Sequence, residues 1–377
     1  MKLFFKVSRL KINNVTLLQG FLRVYYFCKK TMAAYHKLKI KNIKILTSEA
    51  STIGFEVPSS LKDRFQFQSG QYIGLKTIIE GKEVRRSYSL CSAPFESLLE
   101  VGVKRIPNGL FSTHATQELK VGDSLEVAEP EGRFVYDSNA KNVTAFAAGS
   151  GITPIFSILK TALNSDQNTH FTLVYGNKTP EQTLFYNELK ALEAEHPSQL
   201  KILWFFSQSN EKEGRFGRID SSIVKYALKN TGQLSTAFYL CGPEPMILEV
   251  KNTLLDNDIS EQAIYFELFS TSTENPTEKV NSSADLTTIE IIADDSSYTI
   301  ESNSSSTILD AALNKKIDVP YSCQGGVCCS CIAKITEGSA AMASNQVLTD
   351  EEVADGLVLT CQAVPSSSKV VVNYDDV

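Results

Sequence analysis

The nonapeptide CQGGVCCSC occupies residues 323–331 and carries four of the eight cysteines of this 377-residue chain. Three of its cysteines are spaced C-x4-C-x2-C, and a further cysteine follows at position 361. A chain of this length does not need disulfides to fold, so the clustering predicts a metal site in a reducing compartment. We therefore expect a cytoplasmic protein.

The C-x4-C-x2-C spacing with a distal cysteine is that of plant-type 2Fe–2S clusters, which four thiolates hold. The predicted ligands are Cys323, Cys328, Cys331 and Cys361. Gly325 and Gly326 allow the loop to fold tightly around a cluster, so that backbone N–H groups can point at its sulfurs. A zinc site is the alternative, but such sites usually use CxxC pairs or histidine, and no histidine follows His196. We interpret Cys329 as a small packed residue.

The charge of the chain is unevenly distributed around a net value of −6. Residues 1–31 hold seven basic side chains and no acidic one, which leaves 30 basic against 43 acidic residues in the rest. An acidic body argues against nucleic acid as the main partner. No apolar run is long enough to span a bilayer. We interpret residues 1–31 as an N-terminal extension, with a targeting segment as the alternative.

Residues 36–136 contain six short segments that alternate apolar and polar side chains between Gly, Pro, Ser or Asp. The segments are HKLKIKNIKIL, TIGFEV, QYIGLKTII, RSYSLCS, LLEVGVKRI and DSLEVAEP. This pattern predicts an antiparallel β-barrel with one helix at residues 110–118. We assign this domain to residues 32–140.

From residue 142, buried strand-like runs alternate with helical patterns, beginning with VTAFAAG and GITPIFSILKTAL. The alternation predicts a Rossmann-like α/β domain at residues 141–269, with helices on both faces of a parallel sheet. Two of its helices are expected at residues 180–196 and 221–230.

Residues 270–285 are polar and predict a linker. Beyond them, the pattern of residues 286–377 predicts a hairpin, a helix opened by Thr307 and several short strands. Asp310 stands three residues after Thr307, which is typical of a capping box. A few strands wrapped on one helix predict an α+β domain of the β-grasp type.

The segment RSYS at residues 86–89 offers what a flavin requires. Arg86 can pair with a diphosphate, Tyr88 can lie against the ring system, and Ser89 can donate to the flavin N5 region. An aromatic residue in a strand is more often part of a core, but NGLFST follows with a helix start suited to a pyrophosphate, which favours FAD. Arg85 is a further candidate contributor, with a solvent-facing side chain as the alternative. The predicted set is Arg86, Ser87, Tyr88, Ser89, Val103, Lys104, Gly109 and Ser112.

Three turns of the α/β domain predict a nicotinamide nucleotide site, because all three belong at the carboxyl edge of one parallel sheet. They are GSGITP, YGNK and CGPEPM. Glycines let the backbone approach a phosphate, although GSGITP is not the usual G-x-G-x-x-G fingerprint. The functional interpretation of Cys241 places its thiol near the reacting nicotinamide carbon, and the alternative is a buried small residue. The predicted set is Gly149, Gly151, Thr153, Pro154, Lys178, Cys241, Gly242 and Pro243.

Ser89 and Cys241 are the residues for which we expect a catalytic role. Lys178 and Arg215 are candidates for binding a 2′-phosphate. The third strand ends in Ser207 and Gln208.

RSYS, GSGITP and CGPEPM, in this order, resemble the ferredoxin–NADP reductase superfamily over residues 36–269. CQGGVCCSC and LVLTCQA resemble plant-type ferredoxins over residues 286–377, with a cysteine at position 329 where that family usually has Ser, Ala or Gly. The domain order is similar to that of the reductase components of oxygenase systems. The resemblance implies FAD at Arg86, Tyr88, Ser89 and Ser112, the nucleotide at Gly149, Thr153 and Cys241, and the cluster at the four cysteines. It also implies NADPH as the expected nucleotide, although members of the family that use NADPH often carry arginine where this chain has Gln208.

The expected function is electron transfer from NAD(P)H through FAD and a 2Fe–2S cluster to an oxygenase-type partner such as a phenylacetyl-CoA epoxidase. Residues 285–377 hold 14 acidic and four basic side chains, so we expect the partner to dock on this acidic ferredoxin-type domain. The alternatives are another acceptor, such as a hybrid-cluster protein, a desaturase or a hydroxylase, or a non-catalytic electron carrier.

Overall fold

A computed structural model describes residues 34–210, 214–229, 235–269 and 286–377, apart from positions 295, 304 and 322. The predicted extension at residues 1–31 and the predicted linker at residues 270–285 lie outside the described residues. In the described ranges no helix is both long and apolar enough to cross a membrane.

The first unit is a six-stranded antiparallel sheet in the order β4-β3-β6-β1-β2-β5. Its elements are β1 (Tyr35–Thr47), β2 (Ala50–Glu56), β3 (Tyr72–Ile79), β4 (Lys82–Ser89), β5 (Leu99–Lys104), α1 (Leu110–Gln117) and β6 (Ser124–Ala128). The strands alternate because one face packs on a core that includes Leu38, Ile53 and Val101. Leu90 pairs with Val101, so the end of β4 meets the opposite edge strand and the sheet curls into the predicted barrel.

The second unit is a parallel sheet in the order β10-β9-β8-β7-β11-β12. Its elements are β7 (Asn142–Ala148), α2 (Ile152–Ser165), β8 (His170–Asn177), α3 (Tyr186–Glu195), β9 (Leu200–Phe206), β10 (Arg215–Phe216), α4 (Ser221–Ala227), β11 (Ala237–Gly242), α5 (Glu244–Leu255) and β12 (Ile264–Leu268). Consecutive residues of β7, Ala145 and Phe146, belong to different buried clusters. The sheet is therefore buried on both faces, as the continuous apolar runs predict.

One helix of this unit is shorter than predicted. The pattern predicts a helix over residues 180–196, but α3 begins only at Tyr186. Phe185 adopts a left-handed conformation with φ of 58°, which interrupts the helical backbone. Its ring stacks on Phe156 of α2, with 4.4 Å between centroids. Tertiary packing therefore overrides the local helical pattern.

The third unit is a five-stranded sheet in the order β14-β13-β19-β15-β17, with a two-stranded β16-β18 pair beside it. Its elements are β13 (Leu286–Ala293), β14 (Ser296–Asn303), α6 (Ile308–Asn314), β15 (Ile332–Glu337), β16 (Ala340–Met342), α7 (Asp350–Ala354), β17 (Leu357–Leu359), β18 (Ala363–Pro365) and β19 (Lys369–Asn373). β13 and β14 form the predicted hairpin, while β13 and β19 run parallel. α6 packs on this mixed sheet, which gives the predicted β-grasp arrangement.

Threonine side chains cap two helices of this unit; at α6 this is one of the two hydrogen bonds of the predicted capping box. The Thr307 side chain caps α6 by accepting from Asp310 N at 3.1 Å. A complete capping box stands at α7, where Thr349 accepts from Glu352 N and Glu352 accepts from Thr349 N. Each such cap satisfies backbone donors that the first turn of a helix leaves without partners.

Candidate functional site

A cavity of about 420 Å³ lies where the three units meet. The barrel contributes β4 and the start of α1, the parallel sheet contributes Ser150, Thr153 and the end of β12, and the third unit contributes Val327 and Cys328. Eight of the predicted cofactor-binding residues line it: Arg86, Ser87, Tyr88, Ser89, Lys104, Gly109, Ser112 and Thr153. The cavity therefore brings most of the predicted flavin residues to the edge of the predicted cluster loop.

The barrel wall of the cavity has the features that a flavin dinucleotide needs. Tyr88 lies against Phe111 with 5.5 Å between ring centroids, and burial raises the pKa of its hydroxyl although nearby Arg86 lowers it. Ser112 donates to Gly109 O at 3.2 Å. A Cβ at Gly109 would lie 2.3 Å from Ser112 Oγ, so the start of α1 requires glycine. An aromatic face and a helix start beside Arg86 fit FAD.

A buried polar pair closes the other side of the cavity. Ser89 on β4 donates to Glu267 Oε2 on β12 at 2.9 Å. Burial raises the pKa of the Glu267 carboxyl to about 8, against the opposing effect of the Ser89 hydrogen bond. Glu267 was not among the predicted site residues; its only signal is an acidic side chain within the apolar strand YFELF. At neutral pH this carboxyl therefore mostly holds a proton beside Ser89.

Cys241 is fully buried and pairs with Glu267 in the parallel register of β11 and β12. Burial raises the pKa of its thiol well above the ordinary value, and Glu267 adds to the rise when its carboxyl is ionised. The thiol is therefore neutral in this state. A Cβ at Gly151 would lie 2.2 Å from Cys241 O, so two of the predicted nucleotide turns are in direct contact.

The remaining predicted nucleotide residues lie at the same edge of the parallel sheet. Gly149 accepts a hydrogen bond from the Tyr175 hydroxyl at 2.9 Å, and Lys178 is exposed at the end of β8. Arg215 donates to Tyr226 Oη at 2.6 Å and its guanidinium lies 4.0 Å from the centre of that ring. Eight members of the predicted sets lie outside the cavity wall. They are Gly149, Gly151, Lys178 and Cys241, together with Val103 in the barrel core, Pro154 buried in α2, and Gly242 with Pro243 at the end of β11.

The four predicted cluster ligands converge in the loop before β15 and the turn after β17. Contacts with Cys328 and Cys361 lower the pKa of the Cys323 thiol, and Cys331 also contacts Cys361. Cys328, Cys331 and Cys361 are buried and Cys323 is half-buried. Cys323 Sγ also accepts from Gly325 N at 3.4 Å. The thiols and this inward-pointing amide fit a 2Fe–2S cluster.

The backbone of this loop differs in one detail from the expectation. Gly326 has a positive φ of 74°, as a tight turn requires, but the second left-handed residue is Gln324 rather than Gly325. In the described part of the chain, no group of three or more His, Cys, Asp or Glu side chains is placed to hold one metal ion. A 2Fe–2S cluster needs only two protein thiolates for each iron, because bridging sulfides complete the coordination.

Arg85 does not face solvent. Its side chain is only 9% exposed and binds Glu83 at 2.7 Å and Asp318 of the third unit at 3.1 Å. Its guanidinium also lies 4.7 Å from the centre of the Tyr321 ring. Arg85 therefore links the barrel to the β-grasp unit, a role for which local sequence offers no signal because Asp318 is distant along the chain.

Comparison with known families assigns each unit. The family model described as "Oxidoreductase FAD-binding domain" matches residues 37–136, and "Oxidoreductase NAD-binding domain" matches residues 146–252. The model "2Fe-2S iron-sulfur cluster binding domain" matches residues 291–366. These matches lie within the three predicted domains.

Two curated relatives align along nearly the whole chain. One is a component of the 1,2-phenylacetyl-CoA epoxidase of Escherichia coli, which is 36% identical over 91% of this chain and 99% of its own length. The chain belongs to the ferredoxin–NADP reductase superfamily. The reductase is also 31% identical to the ferredoxin reductase component of 3-ketosteroid-9-alpha-monooxygenase from Mycobacterium tuberculosis, over 90% of this chain and 96% of that protein.

A solved structure shares the architecture. Phthalate dioxygenase reductase, described as a modular structure for electron transfer from pyridine nucleotides to a 2Fe–2S centre, matches with a TM-score of 0.60. At 24% identity it covers 90% of this reductase and 98% of its own chain, which supports the fold. The reductase is thus an NAD(P)H-dependent flavin and iron–sulfur oxidoreductase with FAD and a 2Fe–2S cluster.

Proposed function

We propose that this reductase works in the cytoplasm and delivers electrons to the oxygenase component of a phenylacetyl-CoA epoxidase. The observation that carries the electron route is the cavity, because Ser89, Thr153 and Cys328 from three different domains line the same space. The oxygenase partner is supported by the relatives, since two that align over nearly the whole chain are components of oxygenase systems. The test compares two rates: the rate at which the reductase and NAD(P)H reduce the remaining epoxidase components, and the rate at which they reduce a ketosteroid monooxygenase.

The proposed domain limits are residues 32–140 for FAD, 141–269 for the nucleotide and 286–377 for the cluster. A bound FAD would supply the conversion between a two-electron hydride donor and a one-electron cluster. Arg86 and Ser112 orient the diphosphate, and Tyr88 holds the ring system. Thr153 and the glycine turn at residues 149–151 position the nucleotide. Ser89 and Glu267 hold a proton where the hydride arrives.

The proposed docking surface is the acidic face of the ferredoxin-type domain, but not all of that acid is available. Asp318 pairs with Arg85, and Glu352 pairs with Arg133 at 2.7 Å. Both carboxylates are thus used to hold the domain on the barrel. Glu337 and Asp376 also pair, with Lys369 and Lys334 of the same domain. The excess of acidic over basic side chains in residues 286–377 is proposed to attract a basic patch on a partner.

Electron delivery to the oxygenase is expected to slow as salt rises from low to physiological ionic strength, because salt screens attraction between exposed charges. Flavin reduction by the nucleotide should change much less, since its site is built from other domains. Stopped-flow absorbance measures both steps. Equal salt dependence of the two steps, or none in delivery, would show that the acidic face is not the docking surface.

Lys178→Ala is expected to raise KM for NADPH about tenfold and to leave KM for NADH unchanged, because its exposed ammonium is proposed to bind the 2′-phosphate. Lys225→Ala, on α4 in the same domain, is the control. Steady-state kinetics with both nucleotides decide the matter. An unchanged KM for NADPH would remove the role of Lys178, and a wild-type kcat/KM that favours NADH would overturn the NADPH preference.

A further inference from the structure

Tyr72 and Glu131 form a rigid pair on the barrel. Tyr72 N donates to Glu131 O and Glu131 N donates to Tyr72 O, both at 2.9 Å. The Tyr72 side chain is only 5% exposed. A Cβ at Gly132 would lie 3.0 Å from Tyr72 Cδ1, so the backbone of Gly132 packs closely on the ring. The direction of both side chains is therefore fixed by the barrel.

Both side chains reach the cluster loop of the ferredoxin-type domain. Cys329 N donates to the Tyr72 hydroxyl at 3.2 Å. Ser330 Oγ lies 3.4 Å from the same hydroxyl and donates to Glu131 Oε1 at 2.6 Å. Ser330 is itself buried. The two domains thus share one continuous hydrogen-bonded chain.

The direction of each hydrogen bond in this network follows from which groups can donate a proton. A carboxylate only accepts, so Ser330 uses its single proton on Glu131. Tyr72 must then donate to Ser330 Oγ while its own oxygen accepts from Cys329 N. Each group is satisfied, and each depends on the next. Such fully satisfied buried networks specify one arrangement, because a broken link leaves a buried polar group without a partner.

The position of this chain matters for electron transfer. Residues 329–330 lie between the predicted ligands Cys328 and Cys331, so a contact here fixes two thiolates at once. Tyr72 also lines the cavity that Cys328 reaches. One tyrosine therefore touches both the proposed flavin site and the loop that holds the cluster.

We propose that Tyr72 and Glu131 are positioning residues that seat residues 329–330 and so hold the cluster against the flavin cavity. This proposal rests on the proposed electron route. The ion pairs Arg85–Asp318 and Arg133–Glu352 also join the domains, but one member of each pair is exposed, Asp318 in the first and Arg133 in the second, so they fix the orientation less strictly than a buried hydrogen-bond network. The hydrogen bonds of Tyr72 and Glu131 to residues 329–330 fix one orientation of the ferredoxin-type domain on the barrel.

The experiment uses the full-length protein with measured flavin and cluster content. Tyr72→Phe and Ser330→Ala each remove one group from the hydrogen-bond network between the two domains. Tyr239→Phe is the control, because the buried Tyr239 hydroxyl accepts from Asp137 N at 2.8 Å, away from the cluster. Hydrogen exchange measured by mass spectrometry on the peptide covering residues 324–332 should be about tenfold faster in both variants, since a buried donor or acceptor loses its partner. The control should match wild type in this peptide.

Stopped-flow absorbance separates positioning from general stability. In Ser330→Ala, the rate of flavin reduction by the nucleotide should stay within about twofold of wild type, the range expected for a substitution that does not touch the flavin site. Cluster reduction should slow about tenfold, in line with the lost hydrogen bond. Glu131→Gln keeps an acceptor oxygen for Ser330 and should reduce the cluster at the wild-type rate. Glu131→Ala should be as slow as Ser330→Ala.

The outcomes are distinguishable. If wild-type protein reduces its flavin but never its cluster, the proposed electron route fails whatever the variants do. If wild type reduces its cluster and Ser330→Ala matches it in both the hydrogen-exchange rate and the rate of cluster reduction, the positioning role of Tyr72 and Glu131 is wrong. In that case the electron route stands. If Tyr72→Phe does not fold, Ser330→Ala and the two Glu131 variants decide alone.

Discussion

Replacing Cys361 by serine is expected to abolish the cluster and reduce cytochrome c reduction to background, while NAD(P)H-dependent ferricyanide reduction survives. Cys361 is buried and contacts both Cys323 and Cys331. A serine oxygen is a harder and shorter ligand than a thiolate, so one iron would lose its coordination. Hydride transfer persists because the flavin and nucleotide residues belong to other domains. Visible absorbance of the cluster and the two acceptor assays measure the result.

Cys329→Ser is the matched control, because it changes a cysteine of the same loop that is not a predicted ligand. It should keep the cluster absorbance and both activities. Loss of ferricyanide reduction together with cytochrome c reduction in Cys361→Ser would contradict the modular organisation. Loss of the cluster in Cys329→Ser but not in Cys361→Ser would reassign the fourth ligand.

Ser89→Ala is expected to slow flavin reduction by the nucleotide about 100-fold, the lower end of what one preorganised hydrogen-bond donor to developing negative charge contributes. Ser89 is the cavity residue that contacts Glu267, at 2.9 Å. A protonated Glu267 can donate to Ser89 Oγ, which leaves the single Ser89 proton for the flavin N5 region, and the substitution removes this proposed donor. Stopped-flow bleaching of the flavin at saturating nucleotide measures the rate.

The same pair predicts a pH dependence. Because burial raises the pKa of Glu267 to about 8, the carboxyl holds its proton below that pH and loses it above. The flavin reduction rate should therefore be flat below about pH 8 and fall as pH rises further. Glu267→Gln should remove this step. Glu100→Gln is the control, since Glu100 also has a pKa raised by burial but lies outside the cavity wall. If the flavin reduction rate of Glu267→Gln still fell above about pH 8, the pH dependence would belong to another titrating group.

Local patterns were sufficient for the modules. A C-x4-C-x2-C loop, an RSYS strand and three glycine-containing turns each depend on residues that are close in sequence. The chemistry of thiolates, flavins and phosphates constrains those residues directly. The order of barrel, parallel sheet and β-grasp unit followed from hydrophobic periodicity in the same way. The start of α3 was missed because the left-handed Phe185 is fixed by packing on Phe156, which no local pattern records.

The sequence alone determined which cofactors the protein can hold and which cysteines are candidates to bind iron. Only the tertiary structure decided how those parts meet. Glu267 reaches Ser89, Arg85 reaches Asp318, and Tyr72 reaches Cys329 across separations of 178, 233 and 257 residues. The raised pKa of Glu267 likewise exists only after folding, because burial in the assembled cavity produces it. Contacts of this range depend on how whole domains pack, and spacing along the chain carries no information about them.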